Sequence, residues 1–361
     1  MVINKYKILI ILFSLVFSLY AFFLDPGSDQ YDLGRHHAHI ENIKELSYNE
    51  VIEQSRVGYI LFDSYAWILN TLELSKHLLV TTAVFLTYLL VFTVYYKFSE
   101  VYKTRILSRQ TKILLFLMFW LSIGYVSVAS GIRNSFSNAI VFFVSFYLLY
   151  FDKRAMFIFG VILAFFIHPF ALAPSIVVLT VYFTQSIKNK VFLGKLLILI
   201  GLVFLLNPQV LAFIFDLIKY LMSGFSFFKP SYLDLEGVWG AGHDSTRNFN
   251  GLLEVYFFSK LPFYLGLVYL LFIPTRAVKD KKLYFLLSVF FLYFLIFINF
   301  YTLVNRMNNA FILFLTLFFA IQQVSSHNKC DKYISLMYLI CLLIYSVFNI
   351  YSYRYFFLTA F

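Results

Sequence analysis

The sequence has little cysteine and lacks the short motifs of nucleotide-driven proteins. Its two cysteines, Cys330 and Cys341, lie beside and inside the last apolar run and form no CxxC motif, so no disulfide framework is predicted. There is no glycine-rich phosphate loop, no serine-nucleophile motif and no kinase or ATPase motif, which argues against ATP-driven work. The apolar run after Lys5 and Lys7 has no A-x-A cleavage site and is long for a signal peptide, so an uncleaved first span is expected.

Apolar residues are what the sequence has in excess. Hydrophobic residues make up 61% of the 361 positions, aromatic residues 22%, and the mean hydropathy is +0.80. A soluble protein of this length cannot hide so much apolar surface. Runs of about 18 or more apolar residues recur along almost the whole chain, as in polytopic membrane proteins. The sequence therefore predicts an all-α polytopic integral membrane protein with a single membrane domain over residues 1–361.

About eleven spans can be placed along the chain. We predict them at 7–24, 77–96, 112–130, 134–151, 155–167, 169–185, 191–206, 251–273, 283–300, 307–323 and 333–350. Two sizeable polar segments separate them: the first polar segment, 25–76, and the second polar segment, 207–250. Within the first, the stretch 58–74 mixes apolar and charged residues and predicts an interfacial or re-entrant helix.

The run 155–185 is too long for one span. As a single helix it would reach about 45 Å, against about 30 Å of hydrocarbon. Pro169 has no backbone N–H and disfavours helical geometry at His168, so we expect two short helices that meet at this point. Their turn would be recessed within the membrane, where non-helical backbone is tolerated only inside protein or beside a water-filled cavity.

The charges obey the positive-inside rule when the N-terminus is cytoplasmic. The cytoplasmic loops then hold most of the 29 lysines and arginines but only four of the 18 acids, which are Glu100, Asp152, Asp280 and Asp331. The net charge of +11 is explained by topology, so no nucleic acid partner is expected. The outer side has single arginines at helix ends, which suit bidentate contact with phosphate: Arg35, Arg56, Arg133, Arg247, Arg306 and Arg354.

Two polar residues stand in the most apolar surroundings of the chain. Arg133 begins an apolar helix whose N-terminus favours an anion, and Asn134 and Ser137 continue a polar stripe at roughly helical spacing. His168 precedes Pro169, and a neutral imidazole there suits a general base. Each residue also has a structural interpretation. Arg133 extends to the membrane surface from the end of a span, and His168 satisfies the backbone that Pro169 interrupts.

Further candidates lie in the predicted outer turns and polar segments. Arg306 and Asn305 occupy a short turn that brings a second cation and amides to the same side, or simply cap a hairpin. The first polar segment offers Asp29, Tyr31 and Arg35 as substrate-binding residues in a solvated, partly sugar-binding loop.

Two sets of residues have competing interpretations. His36, His37 and His39 have no HxxxH or HExxH spacing, so neither a metal site nor another cofactor is expected. In the second polar segment Trp239, His243 and Arg247 suit carbohydrate binding, but the same composition suits an interfacial aromatic belt.

Four short elements together resemble the EpsG-like family of Wzy-type bacterial polysaccharide polymerases. They are a D-x-Y element with Asp29 and Tyr31, a G-x-R-x-x-x-x-x-A element with Gly131, Arg133 and Ala139, an F-x-x-H-x-x-A-L element with Phe165, His168, Ala171 and Leu172, and a late arginine turn at Arg306. Their order and spacing cover residues 25–310. The resemblance implies a GT-C-like architecture in the bacterial inner membrane, with the active site facing the periplasm or the cell exterior.

The resemblance also implies a reaction and its partners. An undecaprenyl-pyrophosphate-linked oligosaccharide is the donor, a second lipid-linked glycan is the acceptor, and undecaprenyl pyrophosphate leaves. Arg133 and Arg306 would neutralise the pyrophosphate without a metal, and His168 would accept the hydroxyl proton or position the acceptor. The resemblance further implies two partners, membrane lipid and a chain-length regulator protein.

Two other classes of protein compete with this interpretation. One is a membrane acyltransferase that modifies surface glycans, and the other is a flippase or transporter for lipid-linked oligosaccharides. An acyltransferase tends to carry its histidine and arginine near the N-terminus, which does not match here. A transporter should show repeated halves and charges buried along several spans. Here no repeat is seen and the spans are mostly free of charge, which favours a site on one side of the membrane.

Overall fold

The chain is helical wherever the computed structural model describes regular structure. The described residues are 5–24, 32–207, 213, 215–217, 220, 260–297, 301–325 and 329–352, and they include no strand. They divide into two compact units: Met1–Leu172 with Ser346–Phe361, and Ala173–Tyr345. The prediction of a single membrane domain stays a prediction.

The first unit holds nine helices before the division point, counted over the described residues. They are α1 (Lys5–Phe22), α2 (Asp32–Asn42), α3 (Tyr48–Gln54), α4 (Ile60–Thr71), α5 (His77–Val101), α6 (Arg109–Ser122), α7 (Tyr125–Ser130), α8 (Ile132–Phe151) and α9 (Arg154–Ile167). The later helices are α10 (Leu172–Phe183), α11 (Lys190–Leu205), α12 (Leu261–Phe272), α13 (Lys281–Ile296), α14 (Tyr301–Ser325) and α15 (Lys329–Ser352).

The all-α polytopic class is confirmed. Within the described ranges, five helical stretches are long and apolar enough to cross a membrane: His77–Val101, Arg109–Ala129, Ile132–Phe151, Val304–Ser325 and Cys330–Ile350. Shorter apolar helices are Tyr6–Phe22, Arg154–Ile167, Pro169–Phe183 and Leu261–Phe272. The number eleven stays a prediction.

The predicted break at His168 is confirmed. Helix α9 ends at Ile167, His168 is extended with φ −157° and ψ 115°, and Pro169–Ala171 form a single 3-10 turn before α10 begins. The backbone N–H of His168 still donates to the Ala164 carbonyl at 2.9 Å, and the His168 carbonyl accepts from the Ala171 N–H at 3.0 Å. The break therefore follows from the missing N–H of proline, while the groups on either side remain hydrogen-bonded.

One predicted span contains a break, and one predicted boundary is corrected. The span predicted at 112–130 corresponds to the stretch Arg109–Ala129, in which α6 and α7 meet at Gly124; its φ of 60° and ψ of 73° are a left-handed conformation that glycine adopts without strain. The arginine turn before 307–323 is not a turn in the structure. Helix α14 already begins at Tyr301, so Asn305 and Arg306 belong to its first two turns. The apolar pattern missed this start because the first turns carry polar residues.

The expectation of a solvated loop in the first polar segment is wrong for its described part. Residues 32–71 form α2, α3 and α4, and α3 starts with a capping box in which Ser47 and Glu50 bond each other's backbone N–H. Two side chains of α4 bond α2 and the loop that follows it. Asn70 Nδ2 donates to the Ile40 carbonyl at 2.6 Å, and Trp67 Nε1 donates to the Leu46 carbonyl at 3.1 Å. The predicted helix over 58–74 corresponds to the 3-10 turn Val57–Tyr59 and α4.

Glycines allow close helix contacts inside each unit. In the first unit, a Cβ at Gly160 of α9 would overlap the side chain of Val144 of α8. In the second unit, Gly194 and Gly201 of α11 face α13, where Cβ atoms would meet Ser288 at 2.6 Å and Leu295 at 2.9 Å. Small residues at these positions let helix backbones approach closely, which is how helices associate where the surroundings are apolar.

Gly58 joins the first polar segment to the broken helix. A Cβ at this position would lie 2.7 Å from Cβ of Pro169 and 2.8 Å from its Cγ and Cδ atoms. A proline ring is rigid, so it cannot move aside as a long side chain would. The 3-10 turn Val57–Tyr59 therefore lies directly on the turn that contains His168.

We expect Gly58→Ala to lower the free energy of unfolding by about 1–3 kcal/mol, because the added methyl group overlaps the Pro169 ring. Thermal unfolding of the purified protein in detergent measures this effect. The matched control is Val57→Ala, since Val57 is half exposed and its truncation should change stability by less than about 0.5 kcal/mol. Equal stabilities for the Gly58 and Val57 variants would contradict the close approach.

Candidate functional site

Arg133 lies between its own helix and two aromatic rings. It is in the first turn of α8, and its guanidinium carbon is 4.3 Å from the ring centroid of Tyr59 and 5.1 Å from that of Phe62. Both distances fall within the range of cation–π attraction. The planar guanidinium is half-buried, so the rings replace part of the water that a charged group would lose. The side chain is held over these aromatic faces, which goes beyond the simple extension to a membrane surface considered above.

Tyr59 brings Arg133 and His168 together. Its ring centroid is 5.7 Å from that of His168 in an edge-to-face arrangement, while its face carries the Arg133 guanidinium. His168 is buried, with 4% of its surface exposed. The two residues that the sequence singled out, Arg133 and His168, therefore both contact the same tyrosine ring. We call Arg133, His168, Tyr59, Phe62 and His36 the Arg133 cluster.

The hydrogen bonds of His168 fix where its proton sits. The backbone N–H of Phe170 donates to His168 Nδ1 at 3.2 Å. A backbone amide only donates, so Nδ1 must accept, and in the neutral ring the proton lies on Nε2. His168 therefore caps the 3-10 turn after Pro169, as the structural interpretation expected. Its Nε2 carries the ring proton and therefore has no lone pair to act as a base.

His36 contributes a neutral ring to the cluster. Its ring centroid is 5.0 Å from that of Phe62, and the side chain is buried. Burial holds the pKa of His36 well below its usual value, and the nearby positive charge of Arg133 lowers this pKa further. Arg133 therefore stands beside a histidine that stays uncharged near neutral pH.

The three histidines of α2 have three different partners. His36 packs on Phe62, His37 lies edge-to-face with His77 at 5.0 Å, and Nε2 of His39 is 3.0 Å from Oδ1 of Asp63. Burial lowers the pKa of His37 to about 4, with a smaller contribution from His77. In the part of the chain that the structure describes, no group of three or more His, Cys, Asp or Glu side chains is arranged to hold a metal ion.

Asp63 is a buried carboxylate that sequence analysis treated only as a charge in a mixed stretch. It lies in the first turn of α4, directly after Phe62, and is 6% exposed. Its Oδ1 faces Nε2 of His39, and its Oδ2 accepts a short hydrogen bond from the Ser55 hydroxyl. The signal in the sequence was a single acid within GYILFDSYAWIL, but its histidine partner is 24 residues away and follows no motif.

The predicted substrate-binding residues of the first unit have different surroundings. Asn134 is half-buried next to Arg133 on α8. Ser137 is fully buried, and its hydroxyl donates to the Asn134 carbonyl at 2.9 Å, so it bonds the helix backbone. Arg35 is exposed on α2, beside His36. Asp29, Tyr31, Trp239, His243 and Arg247 lie outside the described residues.

The second unit places one predicted residue beside a cation that the sequence analysis did not select. Lys260, directly before α12, is buried and donates from Nζ to Oδ1 of Asn305 at 3.0 Å. Asn305 itself is exposed, and Arg306 next to it is half-buried. Lys260 carried the same sequence signal as Arg133, a cation at the start of an apolar helix. It was missed because the predicted span began at 251.

These features define an all-helical polytopic membrane protein in which a half-buried cation, two buried histidines and aromatic rings form a candidate site. The EpsG family model matches residues 3–359, so the chain belongs to the EpsG family. This membership indicates a function of the polysaccharide-polymerase type. Comparisons with curated proteins and with solved structures give no match.

We expect Tyr59→Leu to lower the free energy of unfolding by about 0.5–2 kcal/mol, because the Arg133 guanidinium loses an aromatic face. Tyr59→Phe keeps the ring and should remain close to the wild type. Hydrogen exchange of residues 56–63 reports the same difference locally, with faster exchange in the leucine variant. If both variants lose the same stability, the hydroxyl matters and the cation–π contact does not.

Proposed function

We propose that the protein polymerises undecaprenyl-pyrophosphate-linked oligosaccharide repeat units into a surface polysaccharide. The acceptor is a second lipid-linked glycan, and undecaprenyl pyrophosphate is the leaving group. The observation that carries this proposal is the arrangement around Tyr59, whose ring lies under the Arg133 guanidinium and edge-to-face with the His168 ring. Family membership supports the polymerase class of reaction.

Arg133 suits a pyrophosphate leaving group. A guanidinium presents paired donors that match two phosphate oxygens, and contact with the Tyr59 and Phe62 rings holds it in place before substrate arrives. Charge on the bridging oxygen grows as the bond to the anomeric carbon breaks. A cation that is already oriented stabilises this charge without reorganising at that moment. The start of α8 adds the partial positive charge at the N-terminal end of its helix dipole.

In this proposal His168 acts as a hydrogen-bond donor. The Phe170 N–H occupies Nδ1, so protonating that nitrogen would break a hydrogen bond at the interrupted backbone. The Nε2–H group suits an oxygen of the pyrophosphate or of the sugar. Of the two roles expected from the sequence, positioning fits this hydrogen-bond pattern and proton acceptance does not.

The remaining predicted residues extend the same proposal. Arg306 stays a predicted catalytic cation and Asn305 a predicted substrate-binding amide. Arg35, Asn134, Ser137, Asp29, Tyr31, Trp239, His243 and Arg247 stay predicted substrate-binding residues. We place the protein in the bacterial inner membrane with a cytoplasmic N-terminus and the Arg133 cluster toward the periplasm or the cell exterior. The distribution of lysine and arginine supports this orientation. A chain-length regulator protein is a further proposed partner.

We expect Arg133→Ala to lower kcat for polymer formation by about 10²–10³-fold, because a preorganised cation at the leaving group is lost. Purified protein is incubated with lipid-linked repeat units extracted from cells that lack it, and the glycan ladder is followed on a gel. The matched control is Arg154→Ala, since Arg154 also begins an apolar helix but is exposed and paired with Asp152 at 3.1 Å. A full ladder from the Arg133 variant would sink this mechanism.

His168→Asn separates the two tasks of the histidine. The Asn side-chain oxygen can accept the Phe170 N–H, so the turn and the stability of the protein should be kept. The donor at Nε2 is lost, and kcat should fall by about 10²–10³-fold in the same ladder assay. His168→Ala loses both tasks and should also unfold at a lower temperature. An active asparagine variant would reduce His168 to a backbone cap.

A further inference from the structure

We infer that His39, oriented by Asp63, accepts the proton of the acceptor hydroxyl during glycosyl transfer. This inference rests on the proposed function. It is prompted by the hydrogen bond from Phe170 to His168, which favours the positioning role of His168 over its proton-accepting role. A sugar hydroxyl that attacks an anomeric carbon must lose its proton, and a nearby imidazole is the most common acceptor for it.

The hydrogen bonds of Asp63 set the tautomer of His39. An ionised carboxylate only accepts, and Oδ1 of Asp63 is 3.0 Å from Nε2 of His39. The proton of the neutral ring therefore lies on Nε2, and the lone pair lies on Nδ1. The Ser55 hydroxyl donates to the other carboxylate oxygen and holds the carboxylate in place. The pattern is the one by which a carboxylate orients a histidine base and stabilises the imidazolium that forms.

The His39–Asp63 pair combines a buried carboxylate with a partly exposed imidazole, as a general base requires. The Asp63 side chain is 9% exposed, so the carboxylate is kept from water and directed at its two partners. The His39 side chain is 39% exposed, so its ring can meet a hydroxyl from outside. The pair thus differs from His168, which is buried and has Nδ1 occupied by its own backbone.

The pair adjoins the Arg133 cluster. Asp63 follows Phe62, whose ring lies 5.1 Å from the Arg133 guanidinium carbon. One turn before His39 on α2, His36 packs against the same Phe62 ring at 5.0 Å. Phe62 therefore contacts the cation, and the next residue of α4, Asp63, orients the base. His36 and His39, one turn apart on α2, contact these two residues.

The chemical step balances with these groups. A lone pair of the acceptor hydroxyl forms the new bond to the anomeric carbon of the donor. The bond from that carbon to the pyrophosphate oxygen breaks, and its electron pair leaves with undecaprenyl pyrophosphate. The hydroxyl proton moves to Nδ1 of His39, while Nε2–H stays bonded to Asp63. The imidazolium then releases its proton to water, which returns the base to its starting state.

A purely structural role for the pair can be separated from a catalytic one. The His39–Asp63 contact joins α2 to α4, but the hydrogen bonds from Asn70 to Ile40 and from Trp67 to Leu46 hold the same part of the chain. Removing the imidazole should therefore leave the first polar segment folded.

The test measures kcat and KM in the ladder assay for His39→Gln, whose amide can still donate to Asp63. We expect kcat to fall by about 10²–10⁴-fold, the usual contribution of a general base, with KM for the lipid-linked substrate unchanged. Asp63→Asn should lower kcat in the same way because it removes the orienting carboxylate. Added imidazole should restore activity to His39→Ala, which a structural role would not allow.

The matched control is Glu41→Gln on the same helix. It breaks an ion pair of 3.0 Å between Glu41 and Lys76, which also joins α2 to a later element but is exposed on both sides. Its kcat should equal that of the wild type. A wild-type protein that forms a ladder, together with an unchanged kcat in His39→Gln or no rescue by imidazole, overturns this inference alone. A wild-type protein that forms no ladder overturns the proposed function and this inference with it.

Discussion

The first unit depends on the contact between the Arg133 guanidinium and the faces of Tyr59 and Phe62. A charged group at the start of an apolar helix loses part of its hydration, and cation–π attraction to the aromatic faces offsets part of that desolvation cost. To reach Arg133, the start of α4 must lie over the start of α8. That requirement fixes where the first polar segment rests. It also explains why a stretch with acids and histidines folds onto the apolar helices.

The break at Pro169 provides the place for this contact. An uninterrupted helix would present side chains where Gly58 now lies directly against the proline ring. The interruption leaves backbone groups that need partners, and His168 bonds the Phe170 N–H with its own ring. Because Tyr59 follows Gly58, the close approach also puts the tyrosine ring beside the histidine. Helix break, glycine and aromatic contact are therefore parts of one arrangement.

The features that depend on local composition could be predicted from the sequence. The apolar runs predicted a polytopic helical protein, and the length of 155–185 together with Pro169 predicted the break at His168. Reasoning from composition failed where distant contacts decide the structure. The sequence predicted a solvated loop at His36 and His37 because the residues around them are too polar to indicate buried side chains. These histidines are buried by packing against Phe62 and His77. No periodicity links Tyr59 to His168 across more than a hundred residues.

The charge state of the histidines bears on how such a site can turn over. Burial, together with the charge of Arg133, lowers the pKa of His36, so this histidine adds no second positive charge to the Arg133 cluster near neutral pH. In the proposed reaction a pyrophosphate is present in the donor and in the product, and a protonated His36 would bind both about equally. Such uniform binding does not lower the barrier of the chemical step. In the proposed mechanism an oriented guanidinium and a neutral N–H donor favour the oxygen on which charge develops, and proton transfer is left to His39 of α2 and Asp63 of α4.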